Sequence, residues 1–307
     1  MFTRFLHFYT KYFAVWVVIF GLLAYIVPAP FVSLKPAMDW FFALTMFGIG
    51  AILEADDFKA IIRQPVLVLI GCCAQFTIMP LCAFAAAKVF SLPPELAVGL
   101  ILTGAAPDAM SSNVLCYIAK ADVAYAVSLT TASTLLAPIL TPGITYLLAG
   151  LIFKINFWEM MFSVITIMIV PLFTGFAVKY VFKEQVKKIS AIFPAVSVTC
   201  IIFICSLVIA VNKNYLIMVT GAVFIADLAL NILGMVGGYA VGAAFKMDIG
   251  KKRTLAIQVG MQNAGLGVIL AIKHIGEKAA VPSAFFVFIC ILTASIMAEI
   301  WQRNSKA

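Results

Sequence analysis

Thr103-Gly104-Ala105-Ala106-Pro107-Asp108-Ala109-Met110-Ser111-Ser112-Asn113 sits inside a run that is otherwise apolar enough to cross a bilayer. Proline removes a backbone donor and clashes with the preceding turn, so the spacing predicts a break that frees carbonyls around Thr103 to Ala106. In hydrocarbon such groups are tolerated only where protein buries them or a watery cavity is lined by them. A second stretch of the same kind, Gln258-Val259-Gly260-Met261-Gln262-Asn263-Ala264-Gly265-Leu266-Gly267, lies about 150 residues further on. Paired interruptions at corresponding places in two halves of a chain point to a transporter's binding site.

The surrounding composition fixes the class. Of 307 residues, 64% are hydrophobic and 11% charged, and the mean hydropathy of +1.12 is far from that of a soluble domain. The expectation is an all-α polytopic membrane protein in contact with lipid. The net charge of +8 comes from basic residues scattered in ones and twos, the pattern of topology determinants and not of a nucleic-acid surface. All seven cysteines fall in apolar runs and only His7 and His274 are histidines, so neither a disulfide framework nor a zinc site is expected. Arg4 and Lys11 precede an apolar run ending at Pro28, which has the outline of a signal peptide but is read as the first span.

At roughly 20 residues per crossing, ten spans are expected, at 12–28, 37–54, 66–90, 94–119, 122–149, 157–180, 188–211, 215–245, 252–275 and 279–301. Pro80, Pro107, Pro138 and Pro142 lie within them, so tilts and breaks are expected at each. With the first residue inside, six basic residues fall on the outer side (Lys35, Lys88, Lys154, Lys213, Lys273 and Lys278) and the other fifteen of 21 on the inner side. Both termini are therefore expected on the cytoplasmic side of the membrane. Five spans per half make any repeat an inverted one, with 1–150 as the first unit and 151–307 as the second. The second half-helices of spans 4 and 9 would then direct their positive N-terminal dipoles at a common point from opposite leaflets. That arrangement suits a carboxylate, and freed carbonyls suit a hard cation such as sodium.

Four separated patches carry a resemblance. They are Ala74-Gln75-Phe76-x-x-Met79-Pro80, Ser112-Asn113-Val114-Leu115-x-Tyr117, Thr130, and Val259-Gly260-Met261-Gln262-Asn263-Ala264-Gly265. In this order and spacing they resemble the bile acid:sodium symporter family along nearly the whole chain. The resemblance implies two inverted repeats of five helices. Spans 1, 2, 6 and 7 would form a panel domain, and spans 3–5 and 8–10 a core domain with crossed broken helices 4 and 9. It also implies symport of a small organic anion, such as a bile acid or a pantoate-like carboxylate, with one or two sodium ions.

The first sodium site implied would use Ser112, Asn113, Thr130, a serine on span 5 and a glutamate opening the second break. Here the last two are Ala126 and Gln258, a lost hydroxyl and a lost charge. The second would use Gln75 and Gln262 with backbone carbonyls at Gln258, Val259 and Met261. Substrate contacts are expected from Asp108, Met110 and Ser111 at the first break, Asn263 at the second and Cys290 on span 10. Asp108 has two readings: a carboxylate replacing the charge lost at Gln258, as cation ligand or proton-binding group, or a cap on the amides of Met110 and Ser111. Asp227, mid-span, is a functional candidate as an intramembrane acid or else a partner for backbone or lysine. Transport independent of sodium or coupled to protons is the alternative. A channel would need a continuous polar stripe, and an enzyme a nucleophile or metal constellation that is missing. No protein partner is implied.

Overall fold

The structure is a computed structural model that describes residues 6, 9–10 and 12–304. The expectations attached to Arg4, His7, Lys11 and Lys306 lie outside the described residues. Thirteen helices carry the architecture. They are α1 (Phe13–Ile26), α2 (Met38–Ile52), α3 (Ala55–Arg63), α4 (Pro65–Val89), α5 (Pro94–Ala105), α6 (Ser111–Ile118), α7 (Val123–Ala149), α8 (Phe157–Val181), α9 (Ile192–Val211), α10 (Lys213–Ala244), α11 (Ile249–Gly260), α12 (Ala264–His274) and α13 (Ala280–Asn304). Among the described residues six helices are long and apolar enough to cross a membrane, or seven if the pair Lys35–Ile52 and Ala55–Arg63, bent by 84°, counts as one. Helices α1, α5 and α12 are apolar but shorter. The chain is an integral membrane protein.

The prolines do not all act alike. Helix α4 continues through Pro80 and α7 through Pro138 and Pro142, so the breaks expected there do not occur. In α8 a π-helical turn at Ile165–Ile169 immediately precedes Pro171, where a widened turn accommodates the ring. Helix α3 was not expected at all. It is short and amphipathic, opened by a capping box in which Glu54 N–H donates to Asp57 at 2.7 Å. It rests on α7 and sets Phe58 against Phe176 of α8, with ring centroids 5.4 Å apart.

Two groups of helices emerge from the packing. Helices α1, α2, α8 and α9 lie together, with Phe203 of α9 meeting Phe20, Phe31 and Phe41 at 5.9 to 6.4 Å. Helices α4, α5, α7 and α10 to α13 form the second group around a buried aliphatic core. Ion pairs between elements gather at two ends. Lys35–Glu277, Lys273–Asp39 at 3.4 Å and Lys278–Glu95 at 3.6 Å join residues expected on the outer side. Lys179–Glu54 at 2.6 Å and Lys251–Asp122 at 3.5 Å join residues expected on the inner side. At that inner end Asp248 caps α11 through Lys251 N–H at 3.0 Å, and its hydrogen bond to the Lys251 ammonium holds its carboxyl below the usual range.

Candidate functional site

The breaks are narrower than the sequence implies. Residues 106–110 separate α5 from α6, and 261–263 separate α11 from α12. They meet as an antiparallel bridge between Asp108 and Gln262, with Ala109 N–H donating to Met261 O at 3.0 Å and Asn263 N–H to Pro107 O at 2.7 Å. Each break thus satisfies part of the other's backbone, which is what allows irregular chain inside an apolar bundle. Side chains satisfy most of the rest. Thr141 donates to Ala105 O at 2.7 Å, Gln75 to Ala106 O at 3.4 Å, Asn231 to Gly260 O at 2.8 Å, and Gln262 to Val259 O at 3.0 Å.

The two expected sodium sets fall on either side of this bridge. In the first, Gln258 Nε2 donates to Asn113 Oδ1 at 3.0 Å and Ala126 O at 3.1 Å, while Ser112 donates to Gln258 Oε1 at 2.8 Å. Thr130 Oγ1 lies 3.1 Å from Asn113 Oδ1 and 3.4 Å from Gln258 Oε1. The Gln258 amide group fills the convergence of acceptors, and Thr130, whose one hydroxyl hydrogen goes to Asp108 at 2.7 Å, links this neutral set to the first break. In the second, Gln75 Nε2 donates to Gln262 Oε1 at 2.6 Å. Gln75 Oε1 is then left buried and without a partner, a costly state for an amide oxygen outside water.

Asp108 is only 2% exposed and turns away from the helix end that one of its two readings has it cap. Its Oδ2 accepts from Thr130 at 2.7 Å and its Oδ1 accepts from the Ser133 hydroxyl, whereas α6 starts without a side-chain cap. The capping reading is therefore corrected: tertiary hydroxyls from α7 outcompete the local amides. A small cavity lies here, with room for about one water-sized particle, lined by Gln75, Asp108, Ser133, Gln258 and Val259 among others.

Of the expected substrate contacts, Met110 and Asn263 are half-buried and Ser111 is exposed, all at the ends of the breaks. Asn263 caps α12, accepting from Leu266 N–H at 3.2 Å. Cys290 is buried and donates to Val287 O at 3.5 Å, with Asp227 and Cys205 as electrostatic neighbours. Asp227 is wholly buried and, among the described residues, neither oxygen has a hydrogen-bond partner, so the alternative of a backbone or lysine pairing finds no partner there. Ser133 and Asn231 were missed by sequence reasoning. Asn231 has a usable signal, since an amide in the middle of an apolar run needs partners just as Gln75 does.

Comparison with known proteins bears on what this arrangement serves. The sodium bile acid symporter family matches residues 40–219. The "Uncharacterized sodium-dependent transporter YocS" of Bacillus subtilis is 38% identical over 98% of this chain and 94% of its own length. The "Probable sodium/metabolite cotransporter BASS1, chloroplastic" of Arabidopsis thaliana is 34% identical over 95% of this chain and 74% of its own. The "Sodium/bile acid cotransporter 4" of Rattus norvegicus is 25% identical over 73% and 52%. With a match of that extent, the chain belongs to the sodium bile acid symporter family, a family of membrane transporters and not of enzymes.

Proposed function

We propose that the chain is a symporter of a small organic anion, such as a bile acid or a pantoate-like carboxylate, coupled to sodium and working by alternating access. The observation that carries this is the bridge between the two breaks, which brings the N-termini of α6 and α12 to one place. Opposed half-helix dipoles there favour an anion, and the oxygens before each break favour a cation. Ten spans follow if α5 with α6, and α11 with α12, each count as one crossing and the nine-residue α3 does not cross. The relatives' names speak for sodium in this family.

An internal symmetry supports the inverted repeat of 1–150 and 151–307. Gln75 and Asn231 each donate to a carbonyl at the break of their own half. Four residues on, Met79 and Met235 press on Gly104 and Gly260: a Cβ on Gly104 would lie 2.7 Å from Met79 O, and one on Gly260 2.3 Å from Met235 Cγ. All three pairs share one offset, 156 residues (231 minus 75, 235 minus 79, 260 minus 104). The two packed groups correspond to the panel (α1, α2, α8, α9) and the core. Orientation with the basic-rich ends in the cytoplasm of a bacterial inner membrane follows from the charge asymmetry, and the same-side ion pairs agree with the expected sidedness.

Sodium fits the second set better than the first. Gln75, Gln262 and the carbonyls of Val259 and Met261 would hold it, and its charge would tie the two breaks together. The first set of Ser112, Asn113, Thr130 and Gln258 has no carboxylate of its own and its neutral bonds are already closed, so one sodium per transport cycle is the reading. Direct evidence would be uptake into sealed proteoliposomes. An inward sodium gradient should drive accumulation of an anion chosen by thermal-shift screening, and counterflow should occur without any gradient. Accumulation that ignores sodium, or flux without counterflow, would refute the proposal.

The outer end also supports alternating access. Panel and core are linked there by Lys35–Glu277, Asp39–Lys273, Asn212 Nδ2 to Glu277 O at 3.0 Å and Ser163 to His274 at 3.0 Å. On the inner side, α6 exposes Ser111, Val114 and Tyr117. We read the outer contacts as the latch of an alternating-access cycle. Exposed ion pairs contribute at most about 1 kcal/mol each, so Asp39→Lys with Glu277→Lys should shift the inward/outward ratio by up to roughly 30-fold. Labelling of Ser111→Cys by an impermeant maleimide added outside should rise accordingly. An unchanged rate would remove the latch from the scheme.

A further inference from the structure

The cavity between α4, α7 and the two breaks has an acid but no base. Its wall contains Gly71, Cys72, Gln75, Asp108, Leu129, Ser133, Gln258 and Val259, so no lysine, arginine or histidine faces Asp108 across it. Asp108 accepts one hydrogen bond on each oxygen, from Thr130 and Ser133, and a carboxylate has further lone pairs to offer. Gln75 meets the same cavity carrying a buried oxygen with no partner. An anionic group and an orphaned amide oxygen sharing an enclosed space are complementary to a small cation, which supplies the countercharge and the missing contact together.

We propose that Asp108 carries the negative charge of a sodium site in this cavity, with the Gln75 amide oxygen and the Ser133 hydroxyl as co-ligands. This rests on the sodium-coupled reading above and deepens it. The site shares Gln75 and Val259 with the second sodium set and takes its charge from the first break. The geometry accounts for the neutral residue at position 258. Thr130 Oγ1 touches Asp108 Oδ2 at 2.7 Å and Gln258 Oε1 at 3.4 Å, so it stands between the two positions. A carboxylate on either side of Thr130 serves one cation; carboxylates on both sides would face each other in a buried space, which like charges resist. The chain carries one.

Sodium titration of the purified, detergent-solubilised protein tests the assignment, read by the sodium-dependent rise in melting temperature and by direct binding of radioactive sodium. Wild type should bind sodium, and Asp108→Asn, which keeps the shape but loses the charge and turns one of the two accepted hydrogen bonds into a donated one, should weaken binding at least tenfold while melting close to wild type without sodium. Adding Gln258→Glu to Asp108→Asn should restore affinity to within about threefold of wild type. Wild-type affinity in Asp108→Asn would overturn the assignment and leave sodium coupling intact. A folded double variant that still fails to bind would overturn it too, as would stabilisation of wild type by acid in place of sodium. Absence of sodium binding in wild type at any pH would instead bring down the sodium-coupled reading itself, and this site with it.

Discussion

Gly50→Ala lowers the melting temperature of the purified protein by roughly 10 °C, while Gly221→Ala leaves it unchanged or raises it. Both glycines lie within helices, where alanine is intrinsically better by about 1 kcal/mol, so the opposite signs must come from tertiary contact. A Cβ on Gly50 would lie 1.9 Å from the carbonyl oxygen of Leu172 in α8, and one on Gly175 of α8 would lie 2.1 Å from Phe47 O in α2. These are backbone atoms of a reciprocal crossing, so neither can rotate away. Among the described residues nothing comes within 4 Å of a Cβ added to Gly221. In a bilayer, helices are held by close packing rather than by exclusion from water, and interfaces of small residues bring backbones together. Forcing α2 from α8 costs a few kcal/mol, and each kcal/mol moves the melting temperature of a protein this large by about 2–4 °C. Gly99→Ala is an independent case in the other group, since its Cβ would meet Ala279 O at 1.9 Å. A differential-scanning or fluorescence melt of the four proteins decides the matter. Equal melting of the Gly50 and Gly221 variants would mean that α2 and α8 are not packed as described.

Much of this was legible because membrane folding makes backbone irregularity expensive. Pro107 and Asp108 cannot sit in an unbroken lipid-facing helix, and Gln258 and Gln262 need partners that only another broken segment or a polar side chain provides. Helix limits were legible for the same reason: the run expected at 66–90 is Pro65–Val89, and that at 157–180 is Phe157–Val181. The failures share a cause as well. Pro80, Pro138 and Pro142 read like Pro107 locally, yet their helices continue; at Pro107 the broken backbone finds partners in the bridge to Gln262, 155 residues away. Capping was one of two readings open for Asp108 because its nearest amides are local. Its partners, Thr130 and Ser133, lie one turn apart on a helix that only tertiary packing brings near. Helix α3 escaped notice since nine residues with both charge signs give no apolar run, and its identity comes from a cap and from Phe58 reaching α8.

Gln262→Ala should give a folded protein with no sodium-dependent stabilisation. Sodium at about 100 times its dissociation constant stabilises a single-site protein by about 2.7 kcal/mol, so wild type should melt roughly 5–10 °C higher in saturating sodium than in an equal concentration of choline. Gln262 stands at the junction of everything a cation would use. Its backbone forms the bridge to Asp108, its Oε1 accepts from Gln75 at 2.6 Å, and its Nε2 holds Val259 O at 3.0 Å. Alanine keeps the backbone bridge and so the crossing of the breaks. It removes one amide oxygen outright and frees Gln75 and the Val259 carbonyl to turn elsewhere, which destroys the preorganised cage rather than one ligand of it. The same variant separates coupling from fold: its melting temperature in choline should stay within a few degrees of wild type, while sodium-driven uptake falls to the level of empty liposomes. A Gln262→Ala protein that keeps the full sodium shift would show that the cation does not depend on the Gln75–Gln262 amide pair.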